Sequence, residues 1–132
     1  MFVSLENLRL ATVATIVLLI AGCGGEMLDP LDELAQRLSD PDIELKRASA
    51  AQIAAMEHVP SRWATQLCAA LDDGDLIVRL DAAAALGHTG REGLDLLPRL
   101  AEKAQSHPCA KTRHAISTAT ARIAASARDP AG

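Results

Sequence analysis

Laid on itself at a shift of 33 residues, the chain repeats. Leu34 falls on Leu67 and then on Leu100, and Leu38 falls on Leu71 and then on Ala104. Asp40 falls on Asp73, Asp42 on Asp75, Leu45 on Val78, Lys46 on Arg79, Ser49 on Ala82 and Ile53 on Leu86. One extra residue in the last loop brings Arg113 to the place of Arg79. A period of this length marks supersecondary units that cannot bury an apolar face alone and must stack to share a core.

Each unit reads as a helix pair. "SDPDIELKRASAAQIAAM" opens on an Asp-Pro turn, and Asp42 is placed to cap the helix that follows. "DDGDLIVRLDAAAALG" repeats the design with Gly74 in the turn and Asp75 as cap; Gly87 is expected to stop the helix and Gly90 to relax the loop. Apolar stripes run Leu45-Ser49-Ile53-Met56 and Val78-Ala82-Leu86 at helical spacing. The segments between carry Trp63-Leu67-Leu71 and Leu96-Leu100-Ala104, and the last carries Ile116-Thr120-Ile123-Ala127. "DPLDELAQRL" opens the array on a half-repeat, so six helices are expected in antiparallel pairs. Pro98 is compatible with a helix starting near Leu96, where it occupies the first turn. In the third unit Cys109 stands where a cap belongs, so the helix is expected to start instead at His107-Pro108. Alanine, with 26 copies, replaces the aromatics: the chain has Phe2, Trp63 and no Tyr. Such helices pack closely on small side chains and are marginal in isolation.

The N-terminus has a different logic. From Leu10 to Gly25 there is no charge, and the apolar stretch from Leu10 to Ala21 is only about 18 Å long as a helix. That is short of the roughly 20 residues a membrane span needs and suits the apolar region of a secretory signal. Ile20-Ala21-Gly22-Cys23 resembles the lipobox of bacterial lipoproteins. The resemblance implies that the Cys23 thiol receives diacylglycerol, that cleavage precedes it, and that its new amine is acylated; two or more chains make a durable anchor. Gly24 stands where an inner-membrane retention signal would favour Asp, which leans towards an outer membrane if the host has one. The expected organisation is a signal peptide over 1–22, a short tether over 23–29, a repeat domain over 30–127 and a disordered tail over 128–132.

The segment "LDDGDLIVRLDAAAALGHTG" resembles HEAT repeats of the phycobilisome-lyase type, through Leu71, Asp73, Asp75, Val78, Arg79, Ala82, Leu86 and Gly87. The resemblance implies an all-α fold, a short right-handed superhelix of antiparallel helix pairs. In the first unit Lys46 replaces the arginine and Ala54 the glycine. Asp75 and Arg79 then read as a cap and as a cation ordering neighbouring turns.

Reactive patterns are missing from the sequence. His58, His88, His107 and His114 have no metal-ligand spacing, and no phosphate-binding or nucleophile-elbow glycine pattern occurs. His88 falls in a loop and is expected to be solvated; Glu57-His58 reads as a helix-end pair. Neither a cofactor nor a metal is called for. Export admits a disulfide between Cys68 and Cys109, but Cys68 lies on an inner stripe and stacking does not obviously bring Cys109 near it. Trp63 is read as a core filler, with an exposed partner anchor as the alternative.

Charge is uneven. Residues 23–95 hold 14 acidic and 6 basic side chains, whereas residues 96–132 hold 2 and 6. Solvated helix faces would explain this; so would docking of an acidic partner or head-to-tail contact between copies. On a helical wheel Lys111 and Arg122 share a face, with Arg128 nearby, while Arg113 points elsewhere into the repeat's structural arginine position. Lys111, Arg122 and Arg128 are therefore the candidate partner-binding residues. The net charge of −4 gives no reason to expect nucleic acid. The expected function is a non-enzymatic, lipid-anchored envelope protein that binds a protein partner or scaffolds an assembly. The alternative is an enzyme subunit or accessory factor of the lyase type, which would need a chromophore pocket that one Trp and no Tyr make hard to build.

Overall fold

The computed structural model describes residues 29–129. The expected signal over 1–22, the lipidation site Cys23, the tether up to residue 28 and the last three residues of the tail lie outside them. The described chain is all-helical. Six α-helices follow one another: α1 (Pro30–Gln36), α2 (Ile43–Ala54), α3 (Ala64–Ala70), α4 (Leu76–Gly87), α5 (Leu97–Ser106) and α6 (Ala110–Ser126). Three 3₁₀ segments, Arg37–Ser39, Ser61–Trp63 and Gly90–Leu96, link or lead into them.

Short polar side chains start the helices where the sequence put them. Asp29 accepts from Leu31 N at 3.0 Å, Asp42 from Glu44 N at 2.9 Å and Asp75 from Val78 N at 3.1 Å. Each satisfies an amide that the first turn leaves without a partner, worth about 1 kcal/mol. Pro98 sits in the first turn of α5, where its missing N–H costs nothing. Gly90 has φ 63°, the left-handed conformation that lets the chain leave α4 and enter the 3₁₀ lead-in.

Helix α4 is the centre of the packing, in contact with α2, α3 and α6; α6 also packs on α5 and on the 3₁₀ segment Gly90–Leu96. Ile53, Trp63, Leu67, Leu86, Leu100 and Ile116 are buried in one continuous core. Leu67 and Leu100 are fully enclosed, and Leu34, at the end of that ladder, is partly buried. Trp63 fills the core, as expected, and its indole Nε1 donates to Asp32 Oδ1 at 2.6 Å.

Four expectations need correction. Leu45 does not join the core: it is 43% exposed, because among the described residues nothing covers α2 there as α2 covers α4. The last helix starts at Ala110 with Cys109 at the cap, not at His107-Pro108. There the imidazole Nδ1 of His107 accepts from Cys109 N at 3.1 Å, taking the part that Asp73 plays for Asp75 N at 2.9 Å. Gly87 does not end α4 by turning left-handed; it is the last helical residue, and its role is close approach. A Cβ on it would stand 3.4 Å from Ala119 Cα and 3.3 Å from Arg122 Cδ. Finally, His88 is partly buried rather than solvated.

Candidate interaction surface

The cross-unit polar contacts are built from the repeat positions themselves. Lys46 Nζ donates to Asp73 Oδ2 at 2.7 Å, and Arg47 donates to both Asp75 oxygens at 2.8 and 3.2 Å. The Arg47 guanidinium beside Asp75 holds its carboxyl down to about 2, against the effect of burial. Burial pushes the Asp73 carboxyl up, but the bonds from Lys46 and from the Asp75 amide outweigh it and leave it below the ordinary value.

Arg79 and Arg113 do one job in successive units. Arg79 Nη1 donates to the carbonyls of Asp73 and Gly74 at 2.8 and 3.1 Å; Arg113 Nη1 donates to those of His107 and Pro108 at 2.7 and 3.1 Å. Each guanidinium closes the turn before its own helix. Arg79 also reaches the next unit, where Nε donates to the buried Thr112 hydroxyl at 3.0 Å. Arg113 is thus committed to the turn, as its wheel position implied.

Between α4 and α6 lies a cleft of about 160 Å³ lined by Leu80, Ala84, Ala115, Thr118, Ala119 and Arg122. Alanines on both walls let the helices approach and leave the floor apolar. Arg122 closes one end: its Nη1 lies 3.2 Å from His88 Nε2. A guanidinium has no acceptor, so a hydrogen bond there needs a bare Nε2 and puts the ring proton on Nδ1, which is buried without a partner among the described residues. Lys111 lies on the same helix as Arg122, three turns earlier and exposed, about 16 Å away at 1.5 Å per residue. Arg128 lies just past the cap of α6, also exposed, with its N bonded to Ala125 O at 3.0 Å. Ordered contacts continue to Asp129, whose carbonyl accepts from Arg91. Two of the three candidate cations therefore share one helix, and the third sits at its end. Two larger clefts, about 310 and 380 Å³, open at the Gly90 loop and beside the Lys46–Asp73 pair, where Gln66 Oε1 is buried without a partner among the described residues.

Sequence reasoning missed Cys109 as a chemically distinct group. Bonds with the Thr112 hydroxyl and amide, opposed by burial and helped by Arg79, hold its thiol down to about 6. Its position three residues before Thr112, at a helix start, was the available signal. Burial pushes the Cys68 thiol up instead, and both cysteines are free. Among the described residues there is no group of three or more His, Cys, Asp or Glu side chains arranged to hold a metal, and no helix is long and apolar enough to cross a membrane.

No protein-family model matches this chain, and no curated protein matches it.

Proposed function

We propose that the chain is a lipid-anchored envelope protein whose helix pairs form a short right-handed α-solenoid of the HEAT-like kind and serve as a protein-interaction or scaffold module. The observation that carries the reading is the cleft between α4 and α6. It is an apolar, alanine-walled slot with a cation, Arg122, at one end and a second cation, Lys111, on the same helix. An apolar floor with a cation at one end and another farther along the same helix suits an acidic segment of a partner protein, which buries one or two apolar side chains while its carboxylates meet the cations. The paired turns closed by Arg79 and Arg113 support the repeat reading, because the same atoms meet the same carbonyl positions in successive units. The lipobox-like Ile20-Ala21-Gly22-Cys23 supports the anchor.

Two experiments test this. Metabolic labelling with a fatty-acid analogue should mark the full chain and not its Cys23→Ser variant; equal labelling removes the anchor. Crosslinked capture from the membrane at low salt should weaken when Lys111 and Arg122 are both changed to Glu, with helicity unchanged. Arg113→Ala should lower stability and spare capture. Capture that ignores the double reversal and the salt would remove the cleft as the binding surface.

A further inference from the structure

The repeat register defines what each unit offers to the next, and both ends of the array hold an unmatched half. Between the first two units the match is explicit: Lys46 meets Asp73 and Arg47 meets Asp75. The counterparts of those acids, one period earlier, are Asp40 and Asp42. They do the same backbone work, for Asp40 Oδ1 accepts from Asp42 N at 2.8 Å, yet among the described residues neither forms an ion pair. At the other end the counterparts of Lys46 and Arg47 are Arg113 and His114. Arg113 spends Nη1 on carbonyls, and neither side chain is in an ion pair among the described residues.

Burial shows the same incompleteness. Leu45 is 43% exposed, whereas Val78 and Thr112, which occupy its position in the later units, are 0% exposed. Gln52 is exposed, and its counterparts Ala85 and Ala119 are buried. Leu31 and Ile43, also at the N-terminal end, are 49% and 42% exposed. At the C-terminal end Ser117 is exposed where Ala50 and Ala83 are buried. The first unit thus keeps the apolar and acidic half of an inter-unit joint, and the last keeps the other half, the Arg113 cation with the His114 imidazole beside it.

We propose that the N-terminal face of one molecule receives the C-terminal face of a second copy, continuing the register head to tail. In that joint Arg113 and His114 of one copy stand opposite Asp40 and Asp42 of the next, and Leu45 is covered. The proposal rests on reading the chain as a repeat-built interaction module, and it adds a second copy of the chain as a partner, at faces distinct from the α4–α6 cleft. Charge fixes the polarity: the first 73 residues from Cys23 hold 14 acidic and 6 basic side chains, and the remainder 2 and 6. Two acidic faces repel, which disfavours a twofold dimer through this end, whereas unlike faces attract over several ångströms. A joint of unlike faces does not close on itself after one step, so copies can add in series.

The test uses the full chain in membranes, co-expressed in two tagged forms, one carrying a photoreactive benzophenone residue at position 45. The expected product joins position 45 of one copy to residues 110–121 of the other. Asp40→Asn with Asp42→Asn retains an oxygen acceptor for each backbone amide and removes both charges. That pair, and separately His114→Glu, should cut the inter-copy product by about ten-fold at low salt, with circular dichroism unchanged. A crosslink from position 45 into residues 1–28 of its own chain overturns the proposal. So does an inter-copy yield that neither variant changes. A crosslink only to a different protein, or no protein product at all, overturns the head-to-tail joint; the interaction-module reading stands or falls separately, on the Lys111 and Arg122 capture experiment.

Discussion

The indole Nε1 of Trp63 donates to Asp32 Oδ1 at 2.6 Å, joining the only large aromatic among the described residues to the first helix. Trp63 is 1% exposed, so this N–H has no recourse to water. The Trp63 bond, followed by that from Arg62, holds the Asp32 carboxyl below its usual range. Asp32→Ala should lower the unfolding midpoint and alter Trp63 fluorescence. Asp32→Asn retains an acceptor and should recover most of the loss. Equal midpoints for the wild type and Asp32→Ala would show that the bond contributes nothing to stability.

Asp75 makes acid sensitivity specific. Its carboxyl is held at about 2, with the Arg47 bond the largest cause. A group whose folded value is depressed stabilises the fold fully above its ordinary value of about 4, and that contribution disappears as pH falls through the folded value. Stability should therefore decline from about pH 4 to about pH 2. Arg47→Ala should raise the Asp75 titration midpoint toward 4 by NMR and flatten the decline across that window. An unmoved midpoint would contradict the assignment.

Cys109 and Cys68 should separate cleanly in an alkylation experiment. With the Cys109 thiol at about 6, its rate with iodoacetamide should rise through that pH and level off by pH 7. Thr112→Val removes the hydroxyl that contributes most and should move the midpoint upward. Cys68 is 1% exposed and should react only after unfolding. Mass spectrometry of the modified peptides reads all three outcomes.

Gly93 tolerates no side chain. A Cβ there would stand 2.0 Å from the Thr89 hydroxyl, which is buried and donates to Leu86 O at 2.7 Å. Gly93→Ala should cost about 1–3 kcal/mol in chemical denaturation, as overpacking does. Adding Thr89→Ala should recover part of the loss. Stability unchanged by Gly93→Ala would mean the 3₁₀ lead-in yields freely.

The leucine ladder should be graded. Leu67, fully buried, should cost about 2–5 kcal/mol as Leu67→Ala. Leu34, partly buried at the end of the same ladder, should cost less. Equal losses would mean that the first unit is covered as completely as the second.

The period and its capping residues made the helices legible before any coordinates: Asp42, Asp75 and Pro98 all occupy helix starts where the sequence placed them. What stayed hidden depended on neighbours. Leu45 carries the same pattern as Val78, and only burial by neighbouring helices, which Leu45 lacks among the described residues, tells them apart. Cysteine is a poor cap by type, so residue type and register disagree at Cys109; the His107 ring that supports its amide lies two residues earlier. The shared face of Lys111 and Arg122 was readable from 3.6-residue geometry, whereas the His88 contact that orients Arg122 needed the fold.

Because α4 touches α2, α3 and α6, cooperativity among the described residues runs through one segment. Contacts between units close in sequence carry a small loop-closure cost, which favours rapid folding that spreads outward from α4. The same geometry orders how the molecule comes apart. Opening of the short, terminal α1 breaks only its contacts with α2 and α3, and its amides should exchange with solvent at a lower opening free energy than those of α4. Those of α4 need both joints to part and should exchange only on global unfolding, so the N-terminal face is also the end that opens first.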